Sequence, residues 1–310
     1  MAGTSQAVPG DRHMSQSRDD RPPRATEVFL AHRNLLFTVA YEMLGSAADA
    51  EDVLQETWLR WSAVDRDEVS DERAYLVRIT TRLALNRLRT LARQRETYVG
   101  PWLPEPLLTT PDVADDVELA ESVSTAMLVV LETLTPTERA VFVLREVFDV
   151  PYDEIAAAVD KSADAVRQVA HRARSHVLAR RPRQEVTRAE QDRVIERFLA
   201  AAATGDLQSL LDVLSPDVVL VTDGGGHRKA ALRPIHGRDK ALRFLTAVSV
   251  GPLAGEVISV NGAPAIAFAI DGEVDTVVTF HVEAGVVTEL YALRNPEKLR
   301  RLAEVTPLQR

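Results

Sequence analysis

The sequence predicts a multidomain chain: two all-α helical blocks followed by an α+β domain with a curved antiparallel sheet. Three observations carry that reading. Apolar residues recur at helical spacing over residues 25–98 and again over 123–183. A proline-rich, acidic linker, residues 99–122, separates the two blocks. Over residues 188–310 short helical patterns give way to alternating strand-like runs, with the hairpin dipeptides Asn261-Gly262 and Asp271-Gly272 between them. A chain of 310 residues suits two or three domains. Residues 1–24 are polar and proline-rich and lack the apolar stretch of a signal peptide. They are expected to be disordered, with Met14 a candidate native start.

Composition narrows the function. The chain has no cysteine, which excludes disulfides, thiolate zinc sites and cysteine nucleophiles and fits a reducing cytoplasm. No window approaches the roughly 20 uninterrupted apolar residues of a membrane span, so no membrane partner is expected. A net charge of −9 argues against nucleic-acid binding until its distribution is considered. Residues 73–95 hold Arg73, Arg78, Arg82, Arg87, Arg89, Arg93 and Arg95 with no acidic residue. Residues 161–183 set Lys161, Arg167, Arg172, Arg174, Arg180, Arg181 and Arg183 against Asp164 alone. Between these runs lie Asp112, Asp115, Asp116, Glu118 and Glu121. Two basic elements on an acidic tether suit two contacts with a polyanion. The bland alternative is a pair of solvated helix faces.

In the first block, Phe29, Leu36, Val39, Ala40 and Met43 mark a helix that Gly45 ends. Ser46 and Asp49 form a capping-box signature for the next helix. A long third helix is expected over residues 71–94. The second block opens with an amphipathic helix from Val123. Thr135-Pro136-Thr137-Glu138 then supplies an N-cap, a proline at the first helical position and a glutamate three residues after the cap. In the tail, helices over 188–203 and 206–214 meet at Thr204-Gly205, and a further helix spans 238–248. Strands are expected over 218–221, 256–260, 265–269, 274–282 and 286–293.

Residues 152–178 read as a helix-turn-helix. Ile155, Ala156 and Val159 point inward from a short helix, and Asp160-Lys161-Ser162 makes the turn with Ser162 as N-cap. Val166, Val169, Ala170, Ala173 and Val177 form the inner stripe of the second helix. Asp164, Gln168, His171, Arg172 and Ser175 project outward, flanked by Arg167 and Arg174, a basic, amide-bearing face that suits a major groove. Arg167 and Gln168 lie where base edges are reached; Arg172, Arg174, Arg180 and Arg181 suit phosphates. In the first block, Ala50, Leu54, Thr57 and Trp61 form the inner stripe of residues 49–61, and Asp52, Gln55, Glu56 and Leu59 the outer one. An acidic patch with an apolar centre suits a protein partner.

Here the sequence resembles a known family. Residues 49–61 (DAEDVLQETWLRW) resemble region 2.2 of RNA polymerase sigma factors, the helix that binds the polymerase clamp. Residues 73–89 resemble regions 2.3 and 2.4, which melt and read the −10 promoter element, and residues 134–174 resemble region 4, which reads the −35 element. With only regions 2 and 4, the chain is similar to extracytoplasmic-function sigma factors. The tail, through Gly205-Asp206, residues 236–239 and the meander, resembles a SnoaL-like cone. Sigma factors with such a tail form a SigJ-like subgroup. Three strings agree with it: Trp102-Leu103-Pro104-Glu105-Pro106, Asp223-Gly224-Gly225-Gly226 and Asn295-Pro296-Glu297-Lys298-Leu299. The chain departs from the subgroup where His227 stands in place of lysine and Glu297 in place of aspartate.

The resemblance implies a cytoplasmic, non-catalytic subunit whose partners are core RNA polymerase and promoter DNA, with its tail regulating activity in cis. Core polymerase is expected on Asp49, Asp52, Gln55, Glu56, Trp58 and Leu59. The −10 element is expected on Arg78, Arg82, Asn86 and Arg87, and the −35 element on Ser162, Asp164, Arg167, Gln168, His171 and Arg172. The three SigJ-like strings are expected to form a regulatory contact between domains. No metal or cofactor is implied, because the seven histidines are scattered and Gly224-Gly225-Gly226 lacks the Lys-Ser/Thr of a phosphate loop. Asp223, His227, His281 and Tyr291 are candidates to line the cone, where a small-molecule ligand or isomerase-type acid–base chemistry would reside. A one-component regulator and a SnoaL-like enzyme with a DNA-binding extension are the rival readings. The former needs neither the outer face of residues 49–61 nor the arginine-rich helix.

Overall fold

The computed structural model describes residues 24–65, 69–110, 113, 116–180, 186–248 and 255–310. The disorder expected for residues 1–23, and the expectations attached to Asp112, Asp115, Arg181 and Arg183, lie outside the described residues.

Three helices build the first block: α1 (Arg24–Leu44), α2 (Ala47–Ser62) and α3 (Glu72–Arg95). Gly45 ends α1 at φ 65°, a left-handed turn that glycine adopts without strain. The Ser46 hydroxyl accepts the Asp49 N–H at the start of α2. A different carboxylate, Glu105 of the tether, takes the Ser46 hydroxyl at 2.9 Å and the Ala47 N–H at 2.7 Å. The inner stripe Ala50, Leu54, Thr57 and Trp61 is buried.

The second block starts earlier than its sequence pattern suggests. Instead of one helix from Val123 there are two, α4 (Val117–Ser122) and α5 (Thr125–Leu131), because the side chains of Asp116 and Ser124 each cap a fresh start. Helix α6 (Pro136–Phe142) carries the full capping box of Thr135 and Glu138 and runs on through a π-turn, Val143–Val147. Helices α7 (Tyr152–Val159) and α8 (Ala163–Leu178) form the helix-turn-helix, with Asp160 in the left-handed region between them. The expected inner stripes of both are buried.

The two helical blocks share one apolar core. Leu36, Met43, Trp61 and Leu76 of the first join Leu128, Leu144, Ile155 and Val166 of the second in a continuous cluster. Polar pairing crosses the same seam. Glu132 pairs with Arg95 of α3 and with the buried Arg139 of α6, whose Nε donates to the Glu42 carbonyl at 2.9 Å. The Glu42 side chain is fully buried and accepts the Ser122 hydroxyl at 2.8 Å.

The tail opens with α9 (Arg188–Thr204) and α10 (Leu207–Val213), leading into β1 (Leu214–Asp223). A two-residue strand β2 (Ile235–His236) and α11 (Arg238–Val248) precede β3 (Gly255–Val260), β4 (Ala263–Ile270), β5 (Glu273–Glu283) and β6 (Val286–Leu293). Helix α12 (Pro296–Leu299) and a 3₁₀ turn follow. The strand order is β2-β1-β6-β5-β4-β3. The sheet is mixed, not antiparallel: β1 runs parallel to β6, with Val221 opposite Tyr291. The three hairpins make antiparallel pairs, but β1 reaches the meander only after α11 and β3–β5, and that crossover returns the chain beside β6 in parallel. Helices α9, α10 and α11 cover one face, on Leu220, Ile266, Val278 and Leu290. The opposite face carries Leu103 of the tether on Ala265, Val277, Tyr291 and Leu293.

Burial pushes the Glu42 carboxyl up to about 8. The folded chain therefore keeps a proton that the unfolded chain has released, so this group's contribution to stability is complete at pH 4 and is lost as pH rises toward 8. Glu42→Gln should flatten that decline, with a difference from the parent growing to about 2–4 kcal/mol between pH 5 and pH 8. Urea melts of both proteins across that range check it.

Candidate functional site

A polar constellation between the tail and the tether is built on Asp223, which ends β1 with no solvent exposure. A carboxylate buried this deeply must be paired. Tyr98 donates its hydroxyl to Oδ1 at 2.6 Å, and the Gly225 N–H reaches the same oxygen at 3.0 Å. On Oδ2 converge the Leu103 N–H at 2.9 Å and the Lys298 ammonium at 2.7 Å. Lys298, on α12, also donates to the Leu103 carbonyl at 2.6 Å. Both backbone groups of Leu103 are thus held by one buried ion pair of the tail. Burial lowers the Lys298 ammonium to about 8 against the opposing pull of Asp223. Burial raises the Tyr98 phenol, and its bond to Asp223 adds to that.

Trp102 lies between two cations, with the Arg95 guanidinium 3.7 Å from its ring centroid and the Lys298 Nζ 4.1 Å away. A Cβ at Gly45 would sit 2.7 Å from the indole, so the α1–α2 corner must be glycine for tryptophan to enter. Asn261 fastens the next turn of the tether. Its Oδ1 accepts the Leu107 N–H at 2.7 Å, while its Nδ2 donates to the Tyr41 hydroxyl and the Val123 carbonyl, each at 2.8 Å. Sequence reasoning read Asn261 only as a turn residue, which it also is; nothing in its local pattern signals the tether.

The glycines after Asp223 are explained by crowding. A Cβ at Gly225 would fall 2.3 Å from the Asn295 side chain, and Gly225 also needs positive φ. Asn295 caps α12 through the Glu297 N–H and donates to the Tyr98 hydroxyl at 2.9 Å. The structure therefore brings Trp102, Leu103, Glu105, Asp223, Gly225, Asn295 and Lys298 together. Pro104, Pro106, Gly224 and Leu299 are buried beside them, Pro296 is half-buried, and Gly226 is exposed. His227 and Glu297, the two departures from the subgroup pattern, face each other at 3.9 Å.

The expected cone lining is corrected by strand parity. Asp223, Tyr291 and His281 lie on the tether face of the sheet, whereas Leu220, Leu290 and Phe280, their neighbours in sequence, lie under the helices. His227 is exposed in the loop beyond β1.

On α2, Asp52, Gln55 and Leu59 are exposed and Glu56 half-exposed. Trp58 instead packs on Phe29 with ring centroids 5.3 Å apart, and Asp49 pairs with Arg87 of α3 at 2.5 Å. Arg82 donates to the Ala157 carbonyl at 2.7 Å, at the end of α7. Arg78 stacks on Tyr75, and Asn86 is exposed. In the helix-turn-helix, Ser162 caps α8; Asp164, Arg167, Gln168, His171 and Arg172 are exposed along its outer face, with Arg167 paired to Asp164. Among the described residues no cluster of metal-ligating side chains occurs, and no helix is long and apolar enough to cross a membrane.

A helical block with an arginine-rich helix, joined by a tether to a helix-turn-helix block, defines a bipartite transcription initiation subunit of the sigma type. Residues 28–94 match the Sigma-70 region 2 family and residues 124–177 the Sigma-70 region 4 family. The chain is 38% identical to the ECF RNA polymerase sigma factor SigJ of Mycobacterium tuberculosis over 289 residues, covering 87% of this chain and 91% of that protein. It is 33% identical to the probable ECF sigma factor SigI of the same species, over 87% of this chain and 92% of that one. The crystal structure of Mycobacterium tuberculosis SigJ superposes with a TM-score of 0.73 at 36% identity, covering 92% of this chain and all of that one. The chain belongs to the extracytoplasmic-function sigma factor family, and its tail is an α+β domain with an open, mixed six-stranded sheet. It binds core RNA polymerase and directs promoter-specific transcription initiation.

Asp223→Asn should leave Lys298 buried without a counter-charge and lower stability by about 3 kcal/mol. Combining it with Lys298→Met should cost about 2 kcal/mol less than the sum of the single changes, a coupling that a double-mutant cycle of denaturant melts reads directly.

Proposed function

We propose that the C-terminal domain regulates this sigma factor in cis by docking on the tether and holding regions 2 and 4 together. The observation that carries this is the capture of Leu103 by the Asp223–Lys298 pair, with Trp102 between Lys298 of the tail and Arg95 of region 2. A second observation bears on the state that is held. Promoter elements 25 base pairs apart are separated by about 85 Å of duplex, at ~3.4 Å per step. Here α3 and α7 touch through Arg82, and the helical blocks share one core. Reading both elements at once requires these blocks to separate, so the docked arrangement is a closed form. A small molecule in the cone that binds one arrangement more tightly would shift the balance between them. We read the tail as non-catalytic, since Asp223, the carboxylate proposed as a base, is engaged by Lys298 and by backbone amides. The polymerase partner places the protein in the cytoplasm.

Within this proposal core polymerase is received by the exposed Asp52, Gln55 and Leu59, flanked by Asp49, Glu56 and Trp58. Arg78, Arg82, Asn86 and Arg87 act on the −10 element once Arg82 and Arg87 leave their protein partners. Ser162, Asp164, Arg167, Gln168, His171 and Arg172 face the −35 element. The rival reading as a one-component regulator predicts no polymerase contact at all.

Asp52→Arg combined with Gln55→Ala should abolish pull-down of core polymerase without loss of fold. Arg167→Ala should retain pull-down and relax base preference at the −35 element in a run-off assay; equal loss at every sequence would show that Arg167 meets only phosphates. The tail is tested by the same transcription assay. Ending the chain before Asn295, ending it before Arg188, and Trp102→Ala should each change promoter-specific output, with the two truncations unequal. Three variants matching the intact protein would make the tail a passenger.

A further inference from the structure

The last residues of the chain carry no motif, yet they touch the tether, α1 and the core that the helical blocks share. Residue 305 pairs in parallel with Leu108 of the tether, which on its other side pairs with Val260 of β3. The Thr306 N–H donates to the Leu108 carbonyl at 2.8 Å. Leu308 packs both on the core shared by the helical blocks and on the small cluster of Val113, Leu119 and Val123. The Gln309 N–H donates at 3.0 Å to the Thr38 hydroxyl of α1, a buried side chain. Arg310 pairs with Asp116 at 3.0 Å and with Glu118, at the start of α4.

Thr38 lies one helical turn before Glu42, which takes the hydroxyl of Ser122 at the other end of α4. Residues 305–310 therefore lie along the seam between α1 and α4. They fix the tether to region 2 through groups separate from the Asp223–Lys298 node. We propose that this segment is a strap that closes the seam between α1 and the tether's α4 and, through Leu308 on the core the two helical blocks share, keeps regions 2 and 4 together. Deepening the cis-regulation reading above, it rests on that reading only for the meaning of closure and uses none of the node's residues. Its strength comes from Leu308 and the two backbone donors, because the Arg310 pairs are exposed enough for salt to screen them.

The absence of cysteine allows a direct test in the full chain. Cysteines introduced at Ala63 of region 2 and Ala179 of region 4, both exposed, accept a donor and an acceptor dye. Single-molecule energy transfer then reports the open fraction. Ending the chain at Val305, or placing an acid in the seam with Leu308→Asp, should raise that fraction about tenfold. Arg310→Glu should raise it about twofold, an effect that 1 M salt abolishes. Leu308→Asp keeps the chain length, and thermal melts establish that each variant is folded. Unchanged transfer in both the shortened and the Leu308→Asp proteins overturns the strap. Trp102→Ala, measured alongside, separates the two ideas. If it alone opens the molecule, node docking stands and the strap falls. If the strap variants alone open it, the strap stands and node docking falls.

Discussion

A carboxylate with no solvent access at the end of an interior strand is costly unless its charge and all its acceptor sites are met. Asp223 meets that requirement only by drawing donors from four places: the loop after its own strand, the lysine of α12, the tether between the helical blocks, and Tyr98 at the end of the first block. Within the tail alone the pair would lack the Leu103 amide and carbonyl and the Tyr98 hydroxyl. The tail is therefore built to receive one stretch of chain in one register. Buried ion pairs add little net stability compared with apolar packing, so register is the better account of why a lysine and an aspartate meet there.

From that node the constraint spreads outward. Trp102 turns into the α1–α2 corner, where glycine leaves room for it, and three residues on Glu105 satisfies the first amides of α2. Helix α2 carries the exposed acidic–apolar face, so the same tether that the tail grips also caps the helix proposed to receive polymerase. Farther along, Asn261 holds Leu107 while bonding Tyr41 of α1 and the start of the second block. A continuous line of hydrogen bonds thus runs from the tail's sheet to both helical blocks. The second polar cluster, Glu42, Arg139, Glu132 and Arg95, sits within the seam between those blocks, where burial raises Glu42 and lowers Arg139 to about 9.

The closed arrangement engages residues that also suit DNA. Arg82 satisfies carbonyls at the end of α7 and Arg87 neutralises Asp49, so protein groups hold two of the arginines proposed to meet the −10 element. Exchanging these partners is inexpensive for exposed cations, which trade one hydrated partner for another. In the proposed cis regulation, modest influences would then suffice to shift a closed form toward an open one: polymerase on α2, contacts in the tail, or the strap over α1 and α4.

What the sequence determined by itself was everything governed by local periodicity and capping. Helical stripes such as Ala50-Leu54-Thr57-Trp61 and Val166-Val169-Ala173-Val177 emerged buried, and the Thr135–Glu138 box formed as written, because turn-to-turn spacing fixes which side chains share a face. The three motifs at residues 49–61, 73–89 and 134–174, met in that order, were likewise enough to mark the family resemblance. Only the tertiary structure decided the rest. Parallel pairing of β1 with β6 depends on a long crossover that no dipeptide signals, and that pairing puts Asp223 and Tyr291 on the tether face instead of inside the cone. Residues 305–310, without periodicity or cap, gain their role from what lies beneath them. Contacts between residues distant in sequence are set by how whole surfaces fit, and a linear pattern carries no record of which surfaces will meet.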